Sequence, residues 1–219
     1  MVTREGFAQA QRPHGHVCAC VITSSNYDYL LGGKDNYATD RQAVRRLLKA
    51  APEARDSARA NRAFLRRAVR FLVGEAGIGQ IIDVGTGIPA AGNVHEVAAQ
   101  VAPGTRVAYV DTDPVVLAHG RALLATGDGV TAVAADLRDP AAVLADPGLR
   151  AVIDPARPVA VLLGAVLHFL GADAARQVTP GYAQVMAPGS CLVISVARYD
   201  DETLGKQAFP RKRLSQIHY

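Results

Sequence analysis

Ile81-Ile82-Asp83-Val84-Gly85-Thr86-Gly87-Ile88-Pro89 decides how this chain of 219 residues folds. A short β-branched run ends in an acid, then in Gly-x-Gly, then in a segment able to open a helix. That order describes a buried strand whose carboxyl end turns sharply and admits a ligand against bare backbone. Gly85 and Gly87 lack the Cβ that would block a positive φ or a close approach. Asp111 follows Gly87 by 24 residues, after a second apolar run. In an open α/β sheet an acid at that distance binds a ribose hydroxyl pair.

Outward from this turn the chain alternates. Strands are expected at Gln80–Val84, Arg106–Val110, Val130–Ala134, Val159–Leu163 and Cys191–Val196. Helices are expected at Asn93–Val101, from Asp113-Pro114 through Leu124, at Pro140–Ala145 and at Ala172–Met186. Asp113 suits an N-cap and Pro114 the first helical position. Continuous apolar strands between helices predict a doubly wound, mostly parallel Rossmann-like sheet with helices on both faces. Ligands of such sheets bind beyond the carboxyl ends of the strands. Those ends carry Asp83, Asp111, Asp136 and Gly164 through His168. An adenosine-bearing ligand fits them, with Asp111 on the ribose and Asp136 near the adenine amino group.

Upstream, 37–50 and 52–73 read as two helices. Phe64, Leu65, Ala68, Val69 and Leu72 recur at helical spacing as a buried stripe. Arg55, Arg59, Arg62, Arg66 and Arg70 share the period, and a solvated face paired with carboxylates is expected over an anion-facing or RNA-facing surface. Residues 1–22 are expected to be a flexible arm, 23–79 a helical cap, 80–198 the ligand-binding core and 199–219 a short polar tail. His14, His16, Cys18 and Cys20 alternate in the arm, but their spacing misses the usual zinc pairs. A polar leader without metal is expected there.

The bulk numbers narrow the class. Hydrophobic residues at 49% and charged ones at 20% fit a folded soluble chain. No apolar run reaches the roughly 20 residues of a membrane span, and the first residues lack a signal-peptide pattern. A cytoplasmic protein is expected. A net charge of +4, with Lys34, Lys49, Lys206 and Lys212 the only lysines, falls short of a clustered nucleic-acid footprint.

Several segments taken together are similar to one family. They are Tyr27–Tyr37, Asp40-Arg41, Asn61-Arg62-Ala63-Phe64, Asp83–Pro89, Asn93-Val94-His95-Glu96, Tyr109–Pro114 and Val166-Leu167-His168. From about residue 23 to 196 the chain resembles the bacterial S-adenosyl methyltransferases long catalogued as a domain of unknown function, within the class I methyltransferases. The resemblance implies S-adenosyl-L-methionine as cofactor, held by Asp83, Gly85, Thr86, Gly87, Asp111, Thr112, Asp136, Leu137 and Gly164. It leaves the methyl acceptor open.

Tyr27–Asn36 is a segment that generic methyltransferases lack. Gly32-Gly33 interrupts any helix there. Tyr27, Tyr29 and Lys34 either line the cofactor site or belong to a structural loop. His168 is the candidate base for an acceptor that must lose a proton, or else a residue that orders the pocket. The stretch after the fourth strand does not resemble the amino-group methylases of nucleobases, so a small-molecule O- or N-acceptor is expected. A nicotinamide oxidoreductase is the weaker alternative, because Pro89 interrupts the turn and Asp136 would have no task.

The family's fold continues past the fifth strand for some tens of residues more, whereas only Ala197–Tyr219 follow here. The expectation is a shortened end that leaves the fifth strand near a sheet edge and open to homodimer pairing. With it comes a second reading, a cofactor-binding protein without turnover.

Overall fold

Strand β1 (Gln80–Val84) is buried along its whole length, as a central strand covered on both faces must be. Around it the computed structural model describes residues 23–90, 92–123, 129–199 and 212–214. Beside β1 run β2 (Arg106–Asp111), β3 (Val130–Ala134), β4 (Ala160–Gly164) and β5 (Cys191–Ser195), all parallel, in the order β3-β2-β1-β4-β5. The order reverses between β1 and β4, and that break is where such sheets take their ligands. Register places Asp83 beside both Tyr109 and Leu162.

Side chains alternate across the sheet, and this splits the core in two. Ile82, Val84, Ala108, Val110, Val161 and Leu163 pack against α6 (Pro140–Ala145), α7 (Pro147–Arg150) and α8 (Ala172–Val185). Ile81, Val107, Tyr109, Ala160 and Leu162 pack against α3 (Ala54–Gly74) and α4 (Val94–Val101). Helix α5 (Pro114–Leu123) follows β2. Asp113 caps it by accepting the Val115 N–H at 2.8 Å.

Helix α2 (Ala38–Ala50) and α3 match the two expected upstream helices to within two residues. Ahead of them, Ser24–Leu31 forms a further helix, α1, which reaches into the Tyr27–Asn36 segment. Thr23 caps it through the Asn26 N–H at 3.2 Å, and its tyrosines and leucines join a third apolar cluster with Val44, Leu47, Ala54 and Ala58. Docking on α2 and α3 supplies what eight residues alone cannot. The glycine pair ends this helix. Gly32 adopts φ 85°, and the Gly33 N–H closes on the Asp28 carbonyl at 2.9 Å.

The expected polar tail also acquires structure. β6 (Ala197–Tyr199) pairs antiparallel with β7 (Lys212–Leu214) in a separate two-stranded sheet. Among the described strands β5 has β4 as its sole partner. The His14–Cys20 alternation lies outside the described residues. Among the described residues no helix is long and apolar enough to cross a membrane.

Candidate active site at the carboxyl edge

The turn after β1 is built from two glycines with different duties. Gly85 takes φ 69° and donates to the Val110 carbonyl at 2.8 Å, and a Cβ on it would lie 2.4 Å from Val166 Cγ2. It is glycine because β1 and the segment after β4 close tightly there. Gly87, at φ 67°, has open room: the nearest atom to an added Cβ would be Ser24 Oγ at 3.7 Å. Its bare backbone faces a space roofed by the start of α1.

Three carboxylates stand at this edge, each in a different state. Asp83 is buried, and burial pushes its carboxyl up to about 6. The Arg62 charge and the Thr86 hydroxyl, which donates to Asp83 Oδ2 at 3.1 Å, oppose that rise, while Asp111 adds to it. Asp111 is fixed by backbone, with Oδ2 accepting the Gly87 N–H and Oδ1 the Asp113 N–H, both at 3.0 Å. Asp136 is more exposed and held well below the usual carboxylate range, chiefly by hydrogen bonds from the Arg138 guanidinium.

Helix α4 opens immediately after the turn, and its amino end is already filled. Glu96 accepts the Gly92 and Asn93 N–H groups at 2.9 and 3.0 Å, and Asn93 accepts that of Ala90 at 3.1 Å. A dinucleotide places its pyrophosphate on such a helix start. Here a carboxylate stands in that position, which disfavours the nicotinamide alternative.

At the mouth of β4 the backbone is held in an uncommon state. Ala165 has φ 56°, alone among the described non-glycine residues in the left-handed region. Its N–H is shared by the Ser195 carbonyl at 2.9 Å and the Ser195 hydroxyl at 3.0 Å. Strain of this kind persists where the surroundings over-determine it, and it gathers at functional sites. Gly164 just before it admits Leu65 of α3, whose Cδ1 would sit 2.9 Å from an added Cβ. His168 follows in a single 3-10 turn, Leu167–Phe169, and lies against the Phe169 ring at 4.2 Å.

A hydrogen-bonded chain ties the cap to this mouth. The Ser195 hydroxyl donates to Asn61 Oδ1 at 2.6 Å, Asn61 Nδ2 donates to the Tyr27 hydroxyl at 2.9 Å, and Tyr27 donates to the Ala58 carbonyl at 3.2 Å. Tyr27 is therefore engaged with α3. Burial raises its phenol above the ordinary value, against the Asn61 hydrogen bond and the Arg62 charge. Tyr29 packs in the same apolar cluster. Lys34 and Thr112 are exposed, and Leu137 is half-buried against the main core.

Of the expected residues, the structure gathers Asp83, Thr86, Gly87 and Asp111 around one turn, with Gly85 packed against the β4 segment. Sequence reasoning missed Asn61, Ser195 and Ala165. Asn61 left a trace: a poor helix former within the buried stripe of an otherwise strong helix. It also missed the pairing of buried Tyr109 with His95, whose N–H and Nδ1 meet the phenol oxygen at 3.0 and 2.8 Å.

A family profile described as S-adenosyl methyltransferase matches residues 19–215. Among solved structures, the chain is similar to a candidate methyltransferase from Thermobifida fusca YX. Identity is 46% over 81% of this chain and 66% of that one, with a TM-score of 0.76. It is also similar to a DUF574 family protein from Streptomyces avermitilis MA-4680, at 39% identity over 84% of this chain and 70% of that one, again with a TM-score of 0.76. The chain thus spans about two thirds of the length of these relatives. No curated protein matches it.

Proposed function

Because the chain belongs to the S-adenosyl methyltransferase family, we propose that it methylates a small molecule at oxygen or nitrogen, with the acceptor held in front of His168. The family's cofactor is S-adenosylmethionine, which supplies a methyl group activated on a sulfonium. The observation that carries the reading is the Asp111 carboxylate at the end of β2, clamped by the Gly87 and Asp113 N–H groups next to the open Cα side of Gly87.

The residues fit that cofactor. A carboxylate has about four acceptor positions, so Asp111 keeps capacity for a ribose hydroxyl pair while its plane stays fixed. Thr86, Gly85 and Gly87 supply a turn without side-chain bulk on the approach side. Asp136 and Leu137 would take the adenine end. Arg138 now occupies Asp136, so an adenine amino group there displaces a guanidinium from an exposed pair, an exchange of low cost.

Transfer to oxygen or nitrogen requires alignment of acceptor and methyl, which positioning supplies, and removal of the acceptor's proton. We assign that proton removal to His168, in the 3-10 turn that follows β4. The exposed Phe169 ring beside it offers an apolar wall.

The test is release of S-adenosylhomocysteine from purified protein given S-adenosylmethionine and pools of small alcohols, phenols, acids and amines. Turnover with one pool is expected, and His168→Gln should lower kcat by about 10²–10⁴-fold if His168 is the base. Cofactor binding with no turnover across the pools would replace this reading with that of a binding protein.

A further inference from the structure

Arg62 follows Asn61 on α3 and points to a part of the site that the glycine turn and Asp111 leave unexplained. Its Nη2 is buried and has no hydrogen-bond partner among the described residues. Nor does Arg62 form an ion pair among them. A guanidinium keeps its charge at any working pH and carries five donors in a rigid fork. Burying such a donor unpaired is costly, so its presence here calls for a partner that arrives from outside the fold.

The position of that charge is informative. It acts on Asp83 at the end of β1, on Tyr27 of α1 and on Tyr109 of β2, so it sits between the cap and the centre of the sheet. One helical turn on, Arg66 lies against Gly92, where a Cβ would fall 2.4 Å from its guanidinium. Arg62, Leu65 and Arg66 of α3, with Gly92 and Val94, line one recess between α3 and the start of α4, the helix that follows the glycine turn. Asp83, for its part, accepts one side-chain hydrogen bond among the described residues, from Thr86.

A buried carboxylate and a half-buried guanidinium with one buried, unpartnered nitrogen, both with bonding capacity left among the described residues, therefore stand at one end of the site. A ligand group that satisfies both carries a cation and an anion a few bonds apart, as an α-amino acid does. We propose that Arg62 binds the α-carboxylate of the cofactor's methionine end, with the α-ammonium turned toward Asp83. This rests on the methyltransferase reading. It assigns α3, outside the Rossmann-like core, a direct part in cofactor selection.

Calorimetry with the full chain separates the proposal from its premise. The ligands are S-adenosylhomocysteine and its decarboxylated analogue, which lacks only the α-carboxylate. Wild-type protein should bind S-adenosylhomocysteine roughly 10–100-fold more tightly than the analogue. Arg62→Gln should erase that preference by weakening S-adenosylhomocysteine alone, leaving the analogue within about twofold of wild type. Arg62→Lys should restore part of the preference, since a point charge remains without the fork. Unchanged S-adenosylhomocysteine affinity in Arg62→Gln overturns the proposal. So does equal loss of both ligands, because damage to the fold is blind to the carboxylate. Wild-type protein that binds neither ligand overturns the methyltransferase reading and this proposal with it.

Discussion

Asp83 and the two turn glycines carry predictions that belong to single residues. The Asp83 carboxyl titrates near 6 in the folded chain and at an ordinary 3.8 when unfolded, with burial the chief cause. Between those values the native state keeps a proton that the unfolded state has released, so stability from this group falls as pH rises through the window. Denaturant titrations at pH 4.5 and 7.5 should show that decline, and Asp83→Asn should abolish it, a difference of about 2 kcal/mol between the two pH values. Cofactor affinity should run the other way, rising as pH passes 6 and Asp83 ionises to meet an ammonium. The glycines divide similarly. Gly85→Ala should cost about 1–2 kcal/mol for the left-handed backbone and about 1–3 more for driving a methyl into Val166. Gly87→Ala carries only the first cost, yet it should weaken S-adenosylhomocysteine binding because its methyl enters the open side of the turn. Unfolding and calorimetry on the two variants check the contrast.

At the scale of elements, α3 is the joint between cap and sheet. Asn61→Ala leaves both the Ser195 and the Tyr27 hydroxyls short of a partner. It should cost about 1–3 kcal/mol, with Tyr27→Phe nearer 0.5–1.5. If Asn61 also positions the β4 mouth, kcat/KM should fall further in Asn61→Ala than in Tyr27→Phe at equal folded fraction. The strands and core helices were legible from the chain because their signals are local: apolar runs, an Asp-Pro helix start and Gly-x-Gly. α1 was not, since its eight residues gain their helix from docking on α2 and α3. The Ser195–Asn61 bond joins residues 134 apart, and no window of sequence contains it. Asp111 was readable as a ligand residue, but its clamp by the Gly87 and Asp113 N–H groups required the fold.

For the whole molecule, the cap and the sheet should respond to ligand as one body. Ser24 roofs Gly87, Leu65 touches Gly164 and Asn61 bonds Ser195, so α1 and α3 contact three separate strand ends. Hydrogen exchange with S-adenosylhomocysteine bound should show slower exchange in α1 and α3 as well as around Asp83–Asp113. Protection confined to the sheet's own turns would show that the cap is a passenger. The left-handed Ala165 adds a consequence for biosynthesis. Its amide is held by Ser195, in the last strand of the large sheet to leave the ribosome. The nascent chain can assemble the turn after β1 early, but the β4 mouth stays unfinished until β5 emerges and finds its register. A chain still in synthesis therefore carries a half-built site until β5 has emerged and paired with β4.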